Sequence, residues 1–141
     1  MLKYLKQKAK RKLKSVNRPL IFKQPSEYVV QSMFFTWLYY KHPNIWDVTF
    51  SIPNGAVLKS KWEAIKLLKS GLKPGVFDVF VSLPNKYYHG LYLEFKVNKN
   101  TLTPNQIKFS GSVQPMGYAC YIVHSIDEAE KVLEGYINDR A

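Results

Sequence analysis

Two short apolar runs flanking a turn, Val76–Leu83 and Leu91–Val97, constrain this chain more than any other stretch. The segment between them, Pro84-Asn85-Lys86-Tyr87-Tyr88-His89-Gly90, has the composition of a turn. If the runs pair as antiparallel strands about Lys86, facing residue numbers sum to about 172, and Asp78 sits opposite Glu94. Alternate side chains of a strand share a face. Val76, Asp78 and Phe80 then lie on one face of the first strand, and Phe77, Val79, Val81 and Leu83 on the other. On the second strand Tyr92, Glu94 and Lys96 point one way, and Leu91, Leu93, Phe95 and Val97 the opposite way. Two carboxylates so close repel unless a cation sits between them, so the hairpin reads as a metal site. Carboxylate oxygen suits hard ions, which makes Mg²⁺ or Mn²⁺ the expected cofactor.

A length of 141 residues fits one domain with a real core. The 46% hydrophobic content excludes general disorder. No apolar run approaches the roughly 18 residues of a membrane span, and the N-terminus lacks the apolar core of a signal peptide. Cys120 is the lone cysteine, so no internal disulfide forms, which fits a reducing compartment. The expected location is intracellular and cytoplasmic.

Charge is concentrated at one end. Residues 1–23 hold nine of the 21 Lys and Arg, including Lys8, Lys10, Arg11, Lys12, Lys14 and Arg18, and no acid. The remainder sets 12 bases against 10 acids. Such an arm suits a polyanion, DNA or RNA ahead of a membrane. The bland alternative is a solvated tail that aids solubility. Leu2, Leu5, Ala9, Leu13 and Val16 recur at helical spacing, so residues 2–16 are predicted helical. The expected division is a basic arm over 1–23 and one domain over 24–141.

Further along, Ser26 is a plausible N-cap for a helix from Glu27 to about Tyr40, with Val30, Met33, Phe34, Trp37 and Leu38 in one stripe. Glu27 and Gln31 fall on the edge of that stripe. Glu27 fits either an inward functional acid or a first-turn acid complementing the helix dipole. Residues 46–52 alternate like a half-buried strand, and 57–70 are predicted helical with Trp62, Ile65 and Leu68 inward and Gly71 at the C′ position. Thr103-Pro104 starts a helix with Gln106, Phe109, Ser110 and Val113 on one side. Residues 118–123 read as a buried strand, and Ser125 to Glu128 as a capping box opening the last helix. His42, His89 and His124 lack zinc-ligand spacing. Neither a phosphate-binding glycine loop nor a nucleophile elbow is present, so no nucleotide cofactor is expected.

Ordered landmarks over residues 24–137 resemble a VRR-NUC domain, a branch of the PD-(D/E)XK nuclease superfamily. They are Glu27-x-x-x-Gln31, Ile52-Pro53-Asn54-Gly55, Gly71-x-x-Pro74-Gly75-x-x-Asp78, Gly90-Leu91-Tyr92-Leu93-Glu94-Phe95-Lys96, Leu102-Thr103-Pro104-x-Gln106, Gly117-Tyr118 and Ser125-x-Asp127-Glu128-Ala129. Phe77 departs from the pattern, standing where the family usually has proline, and its N–H becomes free to bond within the sheet. The resemblance implies an α/β restriction-endonuclease-like fold, a mixed sheet flanked by helices. It also implies a metal-dependent endonuclease acting on DNA, in which Asp78, Glu94, Lys96, Gln106 and Glu27 carry the chemistry. Asp78, Glu94 and the Phe95 backbone carbonyl would hold the metal, with Glu27 reaching it directly or through water. Lys96 would orient or deprotonate the attacking water or steady the phosphate, or else merely pair with a carboxylate. Gln106 would position Lys96 or the water. Compact members of the family resemble junction-resolving homodimers, so branched DNA such as a Holliday junction is the expected substrate. The rivals are a nicking or restriction-type nuclease in phage or host defence, and a nucleic-acid-binding protein with a structural acidic cluster.

Overall fold

A computed structural model describes residues 24–54 and 60–139. The basic arm, its expected helix over 2–16, its six candidate DNA-binding residues and the start of the expected 57–70 helix lie outside the described residues. Within them the chain runs α1 (Glu27–Lys41), α2 (Pro43–Trp46), β1 (Thr49–Ser51), α3 (Lys61–Lys69), β2 (Val79–Val81), β3 (Gly90–Phe95), α4 (Pro104–Val113), a 3₁₀ turn (Gln114–Met116), β4 (Tyr118–Val123) and α5 (Ile126–Asn138). Among the described residues no helix is long and apolar enough to cross a membrane.

The four strands lie in the order β1-β2-β3-β4. The first three are antiparallel neighbours, and β4 runs parallel to β3. A parallel neighbour needs a crossover, which α4 provides. Val79 faces Leu93, Phe80 faces Tyr92 and Val81 faces Leu91, so facing numbers sum to 172, as the hairpin arithmetic expects. Asn85 fixes the turn. Its Oδ1 accepts the N–H groups of Tyr87 at 2.9 Å and Tyr88 at 2.7 Å, and its Nδ2 donates to the Tyr136 carbonyl at 3.1 Å. An Asx turn of this kind holds the bend without strand pairing.

One sheet face carries the main core. Val79, Val81, Leu91, Leu93 and Phe95 meet Val30, Phe34 and Leu38 of α1 and Ala129, Leu133 and Tyr136 of α5. Phe34 packs on Phe95 with ring centres 5.7 Å apart. Tyr136 donates its hydroxyl to the Leu83 carbonyl at 2.6 Å, and burial pushes its phenol up to about 12. The other face is aromatic: Phe80, Tyr92 and Tyr118 form a row, and Phe109 of α4 meets Tyr92 edge-on at 5.1 Å.

Several sequence expectations are corrected here. The 46–52 segment is a strand only over Thr49–Ser51, because Pro43 opens the one-turn α2 and Thr49 Oγ1 donates back to the Ile45 carbonyl at 2.7 Å. Trp62 and Leu68 point outward, at 78% and 51% exposure, and α3 buries none of its side chains. Periodicity shows which side chains share a face, not whether another element covers that face. Met33 is likewise exposed. Phe77 is buried but lies outside the main core, against Phe109 at 5.9 Å. Strand alternation does not reach it, since β2 starts at Val79, and its N–H precedes the sheet ladder rather than joining it. At the start of α5 Ser125 does accept the Glu128 N–H, but Glu128 Oε2 takes the His124 N–H instead of closing the box. Gly71, at φ 105°, ends α3 as expected, with bonds from its own N–H to the Leu68 carbonyl and from the Leu72 N–H to the Leu67 carbonyl.

These burials set a contrast that chemical denaturation measures. Phe34→Ala should cost about 3–5 kcal/mol of folding stability, whereas Trp62→Ala should stay within about 0.5 kcal/mol of the parent.

Candidate active site

Asp78 immediately precedes β2, and Glu94 is the penultimate residue of β3. Extending the β2–β3 register by one residue sets them opposite each other. Asp78 Oδ2 accepts the Phe95 N–H at 3.0 Å, and the Asp78 carbonyl accepts the Ile52 N–H at 2.7 Å. The side chain therefore reaches β3 while the backbone is tied to the end of β1.

Glu94 is 2% exposed. Its Oε1 accepts from Lys96 Nζ at 2.9 Å and from Gln106 Nε2. Its Oε2 is buried and has no partner. Gln106 belongs to the capping box of α4: its Oε1 accepts the Thr103 N–H at 2.8 Å, and Thr103 Oγ1 accepts the Gln106 N–H at 3.3 Å. A backbone N–H can only donate, so the amide oxygen of Gln106 must face Thr103 and its NH₂ must face Glu94. Gln106 thus engages Glu94 rather than Lys96.

Glu27 stands half-buried in the first turn of α1, with Gln31 one turn further on. Its charge raises both Asp78 and Lys96. Among the described residues no group of three or more His, Cys, Asp or Glu gathers to hold a metal, so Glu27 does not close a carboxylate cage with Asp78 and Glu94.

Burial pushes Asp78 above the usual carboxylate range, against the lowering effects of the Phe95 N–H and Lys96. Burial likewise raises Glu94, with Asp78 adding repulsion and Lys96 opposing it. For Lys96 burial acts to lower the ammonium, but the Glu94 contact and the charges of Glu94, Glu27 and Asp78 outweigh it and hold the group above its ordinary value. Lys96 is therefore a fixed cation in a carboxylate-rich niche.

Two residues with structural control over the site were present in the sequence landmarks without an assigned role. Asn54 Nδ2 donates to the Val76 carbonyl at 2.6 Å, pinning the segment that enters Asp78. Gly75 sits at φ 95°, and a Cβ there would collide with the Asn105 backbone. Its signal was the Pro74-Gly75 turn pair, which predicts φ above zero but not the helix pressed against it. The histidines have local roles: His42 Nε2 meets Glu134 at 2.9 Å, His124 Nδ1 meets Glu128 at 3.5 Å, and His89 packs on Tyr118.

No protein-family model matches the chain, and no curated protein matches it. A solved structure described as a VRR_NUC domain protein does, with a TM-score of 0.72 at 25% identity, over 84% of this chain and 93% of that one. The fold of this chain is that of a VRR-NUC domain. This is a nuclease-type domain, and its mixed four-stranded sheet with flanking helices is the architecture the landmarks imply.

The carboxylate oxygens that Asp78 and Glu94 bring to this site are of the type a hard divalent cation takes. Lys96 pairs with Glu94 Oε1 at 2.9 Å, and Glu94 Oε2, on the carboxylate opposite Asp78, is buried without a hydrogen-bond partner. Such an oxygen is costly to bury without a donor or an ion.

A stability consequence follows for the protein in chelator. A carboxylate raised in the folded state destabilises the fold above that raised value, and the penalty disappears as pH falls below the unfolded value of 3.8. Asp78→Asn keeps an acceptor for the Phe95 N–H and removes the charge. It should raise the melting temperature at pH 8 by on the order of a few degrees, and the gain should shrink toward zero as pH is lowered to the acid limb.

Proposed function

We propose that this VRR-NUC domain is a metal-dependent nuclease that hydrolyses DNA phosphodiester bonds. The observation that carries the reading is the juxtaposition of Asp78 with a Glu94 whose second oxygen is buried and unpartnered. Asp78, Glu94 and the Phe95 backbone carbonyl would hold Mg²⁺ or Mn²⁺, with Glu27 acting through an intervening water. When bound, the ion supplies Lewis-acid polarisation of the phosphoryl oxygens and a more acidic water.

The chain's own residues do the rest. Lys96, held protonated by its carboxylate neighbours, lies beside Glu94 and stabilises negative charge building on the phosphate. Gln106 restrains Glu94 Oε1, so Oε2 would be the oxygen available to a cation. Phe77, buried against Phe109, holds the Asp78 segment against α4, the stiffening that proline would otherwise supply.

The finer reading is a structure-selective endonuclease that works as a homodimer on branched DNA such as a Holliday junction. A two-fold assembly would bring two sites and two basic arms to a substrate that needs two symmetric cuts. The expected outcome with Mg²⁺ or Mn²⁺ is paired symmetric nicks in a four-way junction, with linear duplex and flap DNA cut poorly. Equal cutting of all three would support a nicking or restriction-type enzyme instead. Intact DNA in every case, with no metal bound, would leave only a nucleic-acid-binding protein.

Asp78→Ala and Lys96→Ala should each abolish cleavage while the separate basic arm keeps much of the DNA affinity. Cleavage by both variants at the parental rate would overturn the site assignment. Titration with Mn²⁺ should raise the melting temperature of the parent and leave Asp78→Ala unchanged.

A further inference from the structure

Charge divides sharply along the described chain. Residues 60–113 hold eight lysines against three acids, two of which are Asp78 and Glu94. Residues 114–139 hold one lysine, Lys131, against five acids, four of them on α5 and one at its C-cap. Because α5 packs on one sheet face and α4 on the other, the acids of α5 and Lys108 of α4 belong to opposite layers of the described domain. The apolar groove between α1 and α5 carries Glu130 and no lysine, which suits it poorly to phosphate.

On the basic side a groove of about 420 Å³ lies between the Lys73-Pro74 turn and the flank of α4. Lys73 stands on one wall, and Asn105 and Lys108 on the other, with Phe109 and Pro74 adding apolar surface. The groove is built rigidly. Gly75 brings the turn so close to Asn105 that no side chain fits between them, and the Phe109 ring is held between Phe77 and Tyr92. The same turn runs directly into the active site: Pro74 is four residues from Asp78, at most about 14 Å of chain.

We propose that this groove is a second substrate subsite, seating the sugar–phosphate backbone of the DNA strand next to the phosphodiester being cut. Lys73 and Lys108 neutralise phosphates from opposite walls. Asn105 donates a hydrogen bond to a phosphate oxygen, and the apolar surface of Phe109 and Pro74 accepts a deoxyribose ring. Alternating cationic and apolar surface matches the alternation of charge and sugar along a strand. The assignment rests on the nuclease reading and extends it by placing the substrate on the α4 side.

The test uses the full chain, a fluorescent four-way DNA junction, and chelator to prevent cleavage, with affinity measured across a series of salt concentrations. Lys73→Ala with Lys108→Ala should weaken binding on the order of tenfold and reduce the slope of log affinity against log salt by about 1.8, two phosphate contacts' worth. Lys131→Ala, the loss of one lysine on α5, should leave affinity and slope at parental values, whereas Lys73→Ala or Lys108→Ala alone should each lower the slope by about 0.9. With metal restored, the double variant should show a raised KM and a kcat close to the parent's. If the parent binds and cuts DNA while the double variant matches it in affinity and slope, the groove assignment falls and the nuclease reading stands. Equal weakening by Lys131→Ala would reduce the effect to net charge and also overturn the groove. A parent that neither binds nor cuts DNA would overturn the nuclease reading beneath it.

Discussion

The buried carboxylate of Glu94 is the interaction on which the arrangement of this domain turns. A nearly inaccessible carboxylate is expensive unless donors surround it. Among the described residues Lys96 and Gln106 both donate to one of its two oxygens, Oε1. Those donors come from different places in the chain: Lys96 follows the same strand out of the sheet, and Gln106 comes from the crossover helix. Compensating one charge therefore ties the first turn of α4 to the sheet.

The sheet provides the stiffness that such a constellation needs. Asp78 lies at the strand entry and Glu94 near the strand exit of a single hairpin, so their separation is set by strand pairing rather than by loop flexibility. The main core anchors β2 and β3 from one side through α1 and α5, and the aromatic row with Phe109 anchors them from the other. The candidate site residues thus sit between two packed layers at one end of the sheet. Their polar groups are exposed to each other more than to water, which is why burial heads the causes of displaced titration at both Asp78 and Glu94.

Much of this was legible in the residue order. The hairpin register followed from turn composition and a period of two, because a tight turn leaves few ways to align short strands. Ser26, Thr103 and Ser125 marked helix starts through local hydrogen bonding, which is short-range and so visible in sequence. What escaped was long-range. The outward stance of Trp62 and Leu68 depends on whether another element reaches that face of α3, and no local pattern encodes such an absence. Phe77 was assigned by alternation to a strand that had not yet begun. Asn54 holds Val76 across 22 residues of chain, and only folding brings them together. The assignment of Gln106 to Glu94 instead of Lys96 likewise required the amide's second partner, Thr103, to be seen.

That second partner has a dynamic consequence. Helix ends fray readily, since their first turn has few internal bonds. In α4 the side chain that caps the first turn is the same one that restrains Glu94, with its oxygen committed to Thr103 and its nitrogen to the carboxylate. Opening that turn releases Glu94 as well, so the two groups share one local opening equilibrium. The Glu94–Gln106 contact is then intact only in the fraction of molecules whose crossover helix is wound to its first residue, which makes fraying at Pro104 a measure of how often that carboxylate is held.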